Sequence, residues 1–255
     1  MVFPLYDDNT DRQITPLVNY VFIAINILVF VFLQKLGSDT GFTYSFSTVP
    51  AEILSGTDIT TPARVLEHPV TGQRVLIPGL GDTPGSVYFT LITSMFMHGG
   101  IAHIAGNMLF LWIFGDNIED RLGHIRYAIF YLVCGLIASL AHVFTTAMFA
   151  TDQASMLVPS LGASGAISGV LGGYILLHPS RRVTVILFRF LTQVPAYVAI
   201  GIWFLFQLIS GLGMLGGGSQ TGGVAYAAHI GGFIAGLALI KLFDIGHRNR
   251  APAGY

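Results

Sequence analysis

Ser164 stands in the run Leu161-Gly162-Ala163-Ser164-Gly165-Ala166, heading an apolar segment that carries no charge as far as His178. By itself such a serine reads as packing in a glycine-rich helix. Two further polar sets alter that reading. His229 lies one turn into an uncharged segment that opens near Val224, and His103 with Asn107 lies at the start of another that opens near Ile101. A serine hydroxyl beside an imidazole is the minimum equipment for nucleophilic catalysis: the ring accepts the proton that the attacking oxygen must lose. The tetrahedral intermediate then needs hydrogen-bond donors, which the Asn107 amide, the His103 ring and the Ser164 backbone N–H can supply. All thirteen Asp and Glu residues lie outside the apolar segments or at their inner ends, as Asp116 and Asp244 do. The arrangement is therefore a dyad, its base oriented by packing or by a non-acidic neighbour. The lack of intramembrane carboxylates excludes an aspartyl protease. A zinc metalloprotease is equally disfavoured, since there is no H-E-x-x-H and His98 and His103 are five apart.

These residues need a scaffold, and composition defines its class. Of 255 residues 53% are hydrophobic and 10% charged, with mean hydropathy +0.69. That leaves too little polar surface for a water-soluble globule, where about 25% charged residues is usual. The expected class is an all-α, multi-pass membrane protein. A net charge of −1 argues against nucleic acid as a partner. Cys134 is the sole cysteine and lies in an apolar stretch, so no intrachain disulfide can form and an inert buried thiol is expected.

A spanning helix needs about 20 apolar residues. Six segments qualify as candidates: 17–36, 101–117, 125–148, 164–178, 194–212 and 225–243. The first lacks a basic leader and is too long for a signal-peptide core, so it reads as a retained helix. With the N-terminus inside, nine basic residues fall on the inner side (Arg12, Arg121, Arg126, Arg181, Arg182, Arg189, Lys241, Arg248, Arg250) and three outside (Lys35, Arg64, Arg74). This fits the positive-inside rule with both termini cytoplasmic. The expected organisation is a short inner segment 1–16, a six-helix membrane domain 17–243, and an inner tail 244–255.

In that topology the second, fourth and sixth segments all run from outside to inside, which places His103, Asn107, Ser164 and His229 at similar depth in the outer leaflet. His103 and Asn107 are four apart and share a helical face. The fourth segment covers only 15 residues, or about 22 Å against a hydrocarbon core of about 30 Å. Its outer end should lie below the membrane surface, where backbone off the helix must face protein or water. A water-filled cavity follows, as hydrolysis requires. Gly165, Gly169 and Gly173 repeat every four residues, as do Gly232 and Gly236. Such small-residue faces let helix backbones approach closely and would bring His229 to Ser164.

The outer loop 37–88 carries Pro50, Pro62, Pro69, Pro78 and Pro84, which excludes a long regular helix. The apolar stretch from Val87 to Met97 dips back toward the membrane. The inner turn 115–123 places Glu119 and Arg121 at headgroup level. Residues 179–193 mix arginines with an apolar run and suit an interfacial connection, after which Pro195 begins the fifth helix. Seven glycines between Gly211 and Gly223 describe a mobile cover. His98 is expected to make a structural hydrogen bond, while His68, His124, His142, His178 and His247 read as structural or solvated. Asn26 and Gln207 read as interhelical bonds.

Together Gly162-Ala163-Ser164-Gly165, Ala228-His229-Ile230-Gly231-Gly232-Phe233-Ile234-Ala235-Gly236 and His103-Ile104-Ala105-Gly106-Asn107 resemble the motifs of the rhomboid intramembrane serine proteases, in the same order and from about Leu91 to the C-terminal end. The resemblance implies a six-helix bundle with Ser164 and His229 as catalytic dyad and His103 and Asn107 stabilising the oxyanion. It also implies no cofactor, and substrates that are transmembrane helices cut near the outer membrane face. The expected location is a prokaryotic plasma membrane. Two departures stand out. An aromatic residue often follows the nucleophile by one turn and stacks on the histidine, and here that position is Ser168. The first outer loop is longer than usual and lacks the Trp-Arg pair often found there. The alternative readings are a catalytically silent relative that binds client helices, and a small-solute channel or transporter.

Overall fold

The structure, a computed structural model, describes residues 2–67, 74–150, 152–187, 190–215 and 226–246. The chain begins with a strand, β1 (Val2–Asp7), and then enters α1 (Leu17–Leu28), which continues as a π-helical turn over Val29–Leu33. The outer connection holds two short helices, α2 (Thr40–Ser45) and α3 (Pro50–Ser55), and a hairpin of β2 (Arg64–Glu67) and β3 (Arg74–Ile77). A broken helical stretch, Val87–Phe96, centred on α4 (Thr90–Thr93), is bent by 79° against the next helix. That helix is α5 (Ile101–Phe110), continued through a π turn into α6 (Asp116–Leu122). There follow α7 (His124–Phe149), α8 (Gln153–Met156), α9 (Ser164–Leu177), a hairpin of β4 (Arg182–Leu187) and β5 (Phe190–Pro195), α10 (Ala196–Leu215) and α11 (Tyr226–Phe243).

Among the described residues α7 and α11 are long and apolar enough to cross a bilayer, and the bent pair Val87–Phe96 with Ile101–Leu122 qualifies if taken as one span. Leu17–Leu33, Ser164–Leu177 and Ala196–Leu212 are shorter apolar helices. The fold is mostly helical but not all-α. β1, β4 and β5 form an antiparallel three-stranded sheet in the order β1-β4-β5, with Phe3 opposite Ile186 and Val185 opposite Thr192. The connection over 179–193 is therefore built as a hairpin, with residues 182–187 as its first strand. Their Val-Thr-Val-Ile run is β-branched, Val183 and Val185 are buried, and the edge of β4 is satisfied by a strand from the far end of the chain. Pro195 closes β5, one residue before α10 begins.

The sheet sits at the end of the bundle away from Ser164, where polar groups tie the elements together. α1 begins after Pro16, which offers no side-chain cap, so its first-turn N–H groups need other acceptors. Glu119 supplies them, accepting from Val18 N–H at 2.9 Å and Asn19 N–H at 2.7 Å. Glu119 is fully buried within the protein at this end of the bundle. Arg121 forms a two-pronged pair with Asp244 at 2.7 and 2.8 Å, Arg12 meets Asp116 at 3.1 Å, and Arg181 meets Asp11 at 2.6 Å. Asp7 on β1 accepts from the Tyr174 hydroxyl on α9 and from Asn117 Nδ2. Burial pushes the Asp7 carboxyl up to about 7, against the pull of the Tyr174 hydrogen bond.

In the middle of the bundle α7, α9 and α11 pack around glycines. A methyl group on Gly232 would collide with the Gly165 carbonyl, one on Gly236 with the Gly169 carbonyl, and one on Gly169 with Cys134 of α7. The small-residue faces thus carry α9 and α11 into backbone contact. α10 is attached differently: Phe204 stacks on Phe233 of α11 with ring centroids 4.1 Å apart, and Trp203 lies over the same ring at 6.5 Å.

Candidate active site

Ser164 is the first residue of α9 and His229 lies one turn into α11. The backbone contact between these helices brings the two side chains together: Ser164 Oγ lies 2.7 Å from His229 Nε2, across 65 residues of sequence. The other ring nitrogen, Nδ1, lies 2.7 Å from Oε1 of Gln207 on α10. An amide oxygen can only accept, so Nδ1 carries the proton and Nε2 presents its lone pair to the serine hydroxyl. That is the tautomer a general base needs. Trp203, one turn before Gln207, places its ring 6.0 Å from the imidazole, and Tyr226 meets it edge-on at 6.5 Å. Ser168 is turned elsewhere: its hydroxyl donates to the Ser164 carbonyl at 2.6 Å. The interhelical bond expected of Gln207 is thus made to His229, and Trp203 joins it without any motif that marks it in the sequence. Their four-residue spacing toward one face of the fifth helix was the available signal.

His103 and Asn107 project from one face of α5, and they converge on Gly162. That glycine has φ +123°, and a methyl group there would lie 2.8 Å from His103 Nε2 and 3.6 Å from Asn107 Nδ2. The space that a side chain would fill, two residues before Ser164, is therefore bordered by both donors. His103 Nδ1 accepts from Gly99 N–H at 3.3 Å, so in the neutral ring Nε2 bears the proton and faces that space. Asn107 Nδ2 is 2.9 Å from Nε2 of His98, a fully buried ring that packs edge-on against His103 with centroids 5.1 Å apart. Gln34 fixes His98 in turn: its Oε1 accepts from His98 N–H at 3.0 Å and its Nε2 donates to the His98 carbonyl at 2.8 Å. His98 is thus a hydrogen-bonded support for the Asn107 amide.

The segment leading to Ser164 is held from below. Gly162 N–H donates to the Ser94 carbonyl at 2.8 Å, and Ser160 exchanges backbone hydrogen bonds with Thr48 at 2.8 and 2.9 Å. Ala163 offers no side-chain cap, so the first N–H groups of α9 remain open at the positive end of the helix dipole. At 14 residues, α9 is about 21 Å long, shorter than a bilayer core of about 30 Å. Ser164, His103 and His229 each keep partial exposure, whereas Asn107 and His98 are buried. Of the glycine-rich stretch expected as a cover, Gly211 and Gly213 belong to α10, and 216–223 lies outside the described residues. His68 and His247 lie outside them as well.

Residues 85–244 match the rhomboid domain family. Among curated relatives, the mitochondrial rhomboid protein 1 of Saccharomyces cerevisiae is 31% identical over 58% of this chain and 40% of its own length. The rhomboid protease GluP of Bacillus subtilis is 29% identical over 87% of this chain and 34% of its own, and the mitochondrial RHOMBOID-like protein 12 of Arabidopsis thaliana is 34% identical over 54% and 44%. The chain spans under half the length of these relatives. One is bacterial and two are named mitochondrial, so the likeness supports a membrane protein without selecting the prokaryotic membrane. With its match covering residues 85–244, the chain belongs to the rhomboid family.

Proposed function

We propose that this chain is an intramembrane serine endopeptidase that cleaves transmembrane-helix substrates near the outer membrane face. It works from a six-span bundle with residues 1–16 and 244–255 on the cytoplasmic side. The observation that carries this reading is the 2.7 Å contact between Ser164 Oγ and His229 Nε2, beside a space bordered by donors. A serine kept only for packing has no need of an imidazole in the accepting tautomer.

The chemistry follows from the atoms. Ser164 Oγ attacks the scissile carbonyl carbon while its proton passes to His229 Nε2. The carbonyl oxygen becomes an oxyanion and meets the His103 Nε2–H, the Asn107 amide and the open N–H groups at the head of α9, which need not reorganise to receive it. Collapse breaks the C–N bond, and the imidazolium returns its proton to the leaving amine. Water, activated by the same ring, then hydrolyses the acyl-enzyme and restores Ser164. The partial exposure of Ser164 and His229 gives that water access.

The test uses purified protein in liposomes with a membrane-tethered reporter. The native chain is expected to release the reporter, with the cut mapped by mass spectrometry, and Ser164→Ala is expected to abolish release. Persistent turnover in Ser164→Ala would reject the nucleophile. Specific capture of client helices without any cut would instead support the silent-binder reading.

A further inference from the structure

Gln207 is a polar residue on a largely apolar helix, and its amide oxygen meets the one ring nitrogen of His229 that Ser164 does not use. Among the described residues, three polar side chains close to the dyad are engaged elsewhere. Ser168 donates to the Ser164 carbonyl, His103 Nδ1 accepts from Gly99, and the Asn107 amide is on His98. Trp203, on the same face of α10, adds a ring contact to the imidazole. An imidazole free to exchange its two tautomers would spend part of its time with a proton on Nε2, unable to accept from Ser164.

We infer that Gln207, supplied by α10 and not by the helices that carry the dyad, is a positioning residue that holds His229 in its proton-accepting tautomer. This rests on the proposed hydrolytic reading of Ser164 and His229. It makes the competence of the base conditional on α10 lying against α11. Side-chain contacts such as the Phe204–Phe233 stack hold that helix in place. Displacement of α10 leaves the Ser164–His229 pair in place but its ring unoriented.

The experiment compares native chain, Gln207→Leu and Gln207→Glu by two readouts in detergent: the rate of fluorophosphonate labelling of Ser164 against pH, and kcat and KM for a reporter helix. Gln207→Leu is expected to lower kcat and labelling by about 10²-fold, the scale of a small misplacement at a reacting centre, with KM little changed. Gln207→Glu keeps the acceptor and adds a charge that favours the imidazolium. It is expected to retain most of the labelling at alkaline pH, with the acid limb displaced to higher pH. The titratable groups facing the ring, His103 from α5, His142 from α7 and Tyr226 from α11, are common to all three proteins and cannot produce the difference.

A purely structural glutamine predicts the opposite: both variants lose labelling in proportion to lost folding, and the limb does not move. That result, or native labelling by Gln207→Leu, overturns the inference. If the native chain itself fails to label at Ser164, the hydrolytic reading falls and this inference falls with it. If it labels and the Gln207 variants match it, only the positioning role is wrong.

Discussion

The two helices that border His229 hold it by different physics. α9 and α11 meet backbone to backbone: no side chain fits between Gly232 and the Gly165 carbonyl, or between Gly236 and the Gly169 carbonyl. α10 reaches the same histidine through side chains alone, a ring at Trp203 and an amide at Gln207, and leans on α11 through the Phe204–Phe233 stack. The first contact tolerates no substitution and fixes a distance. The second consists of rotatable groups and fixes an orientation. On the proposed hydrolytic reading, the backbone contact sets the Ser164–His229 distance and the side-chain contact sets the tautomer of the base.

The contrast is broken most severely by Gly232→Val. Forcing a branched side chain between α9 and α11 costs about 1–3 kcal/mol or more in a packed core. The expected outcome is a lowered unfolding midpoint in detergent together with no detectable reporter cleavage. Gly162→Ala attacks the donors and spares the helix pair. The added methyl both blocks the space before His103 Nε2 and occupies a left-handed backbone. Cleavage is expected to fall about 10²–10³-fold, as for loss of an oxyanion donor, with roughly 1–2 kcal/mol of stability.

Loosening α10 should do less. An aromatic pair contributes about 0.5–1.5 kcal/mol beyond its buried area, so Phe204→Ala is expected to lower kcat by a few-fold to about tenfold while the Ser164–His229 contact persists. A fall as deep as that of Gly232→Val would erase the distinction between the two attachments.

The far end of the bundle supplies the smallest effect and a control. The Asp7 carboxyl has a folded-state pKa raised to about 7 from 3.8, chiefly by burial. The folded state therefore binds this proton more tightly than the unfolded chain does. The stabilisation is full below 3.8 and is lost as pH rises through about 7. Asp7→Asn is expected to flatten the unfolding midpoint across that interval, measured against pH, and to leave cleavage at a fixed pH unchanged.

How much of this was legible in the sequence depends on the range of each signal. Ser164, His229, His103 and Asn107 declared themselves through short local motifs in a fixed order, and the repeating glycines pointed to the helix contact that brings two of them together. The apolar runs marked the helices to within a few residues. Gln207 was legible as an interhelical bond but not as the partner of His229: its spacing from Trp203 marks a shared helical face without showing that the face meets a residue 22 positions away. The sheet was hidden for a related reason. Val183 to Leu187 reads only as part of an interfacial connection until β1, from the opposite end of the chain, is seen to pair with it. Pro16 shows locally that α1 lacks a side-chain cap, but not that Glu119, about 100 residues away, supplies the acceptors.

The most direct measurement is mass-spectrometric mapping of a fluorophosphonate adduct on the full chain, native and His229→Ala, in the same detergent. The expected result is one adduct, on Ser164, in the native protein and its loss in His229→Ala with the fold intact. An adduct on another serine, or equal labelling of Ser164 without the imidazole, would contradict it.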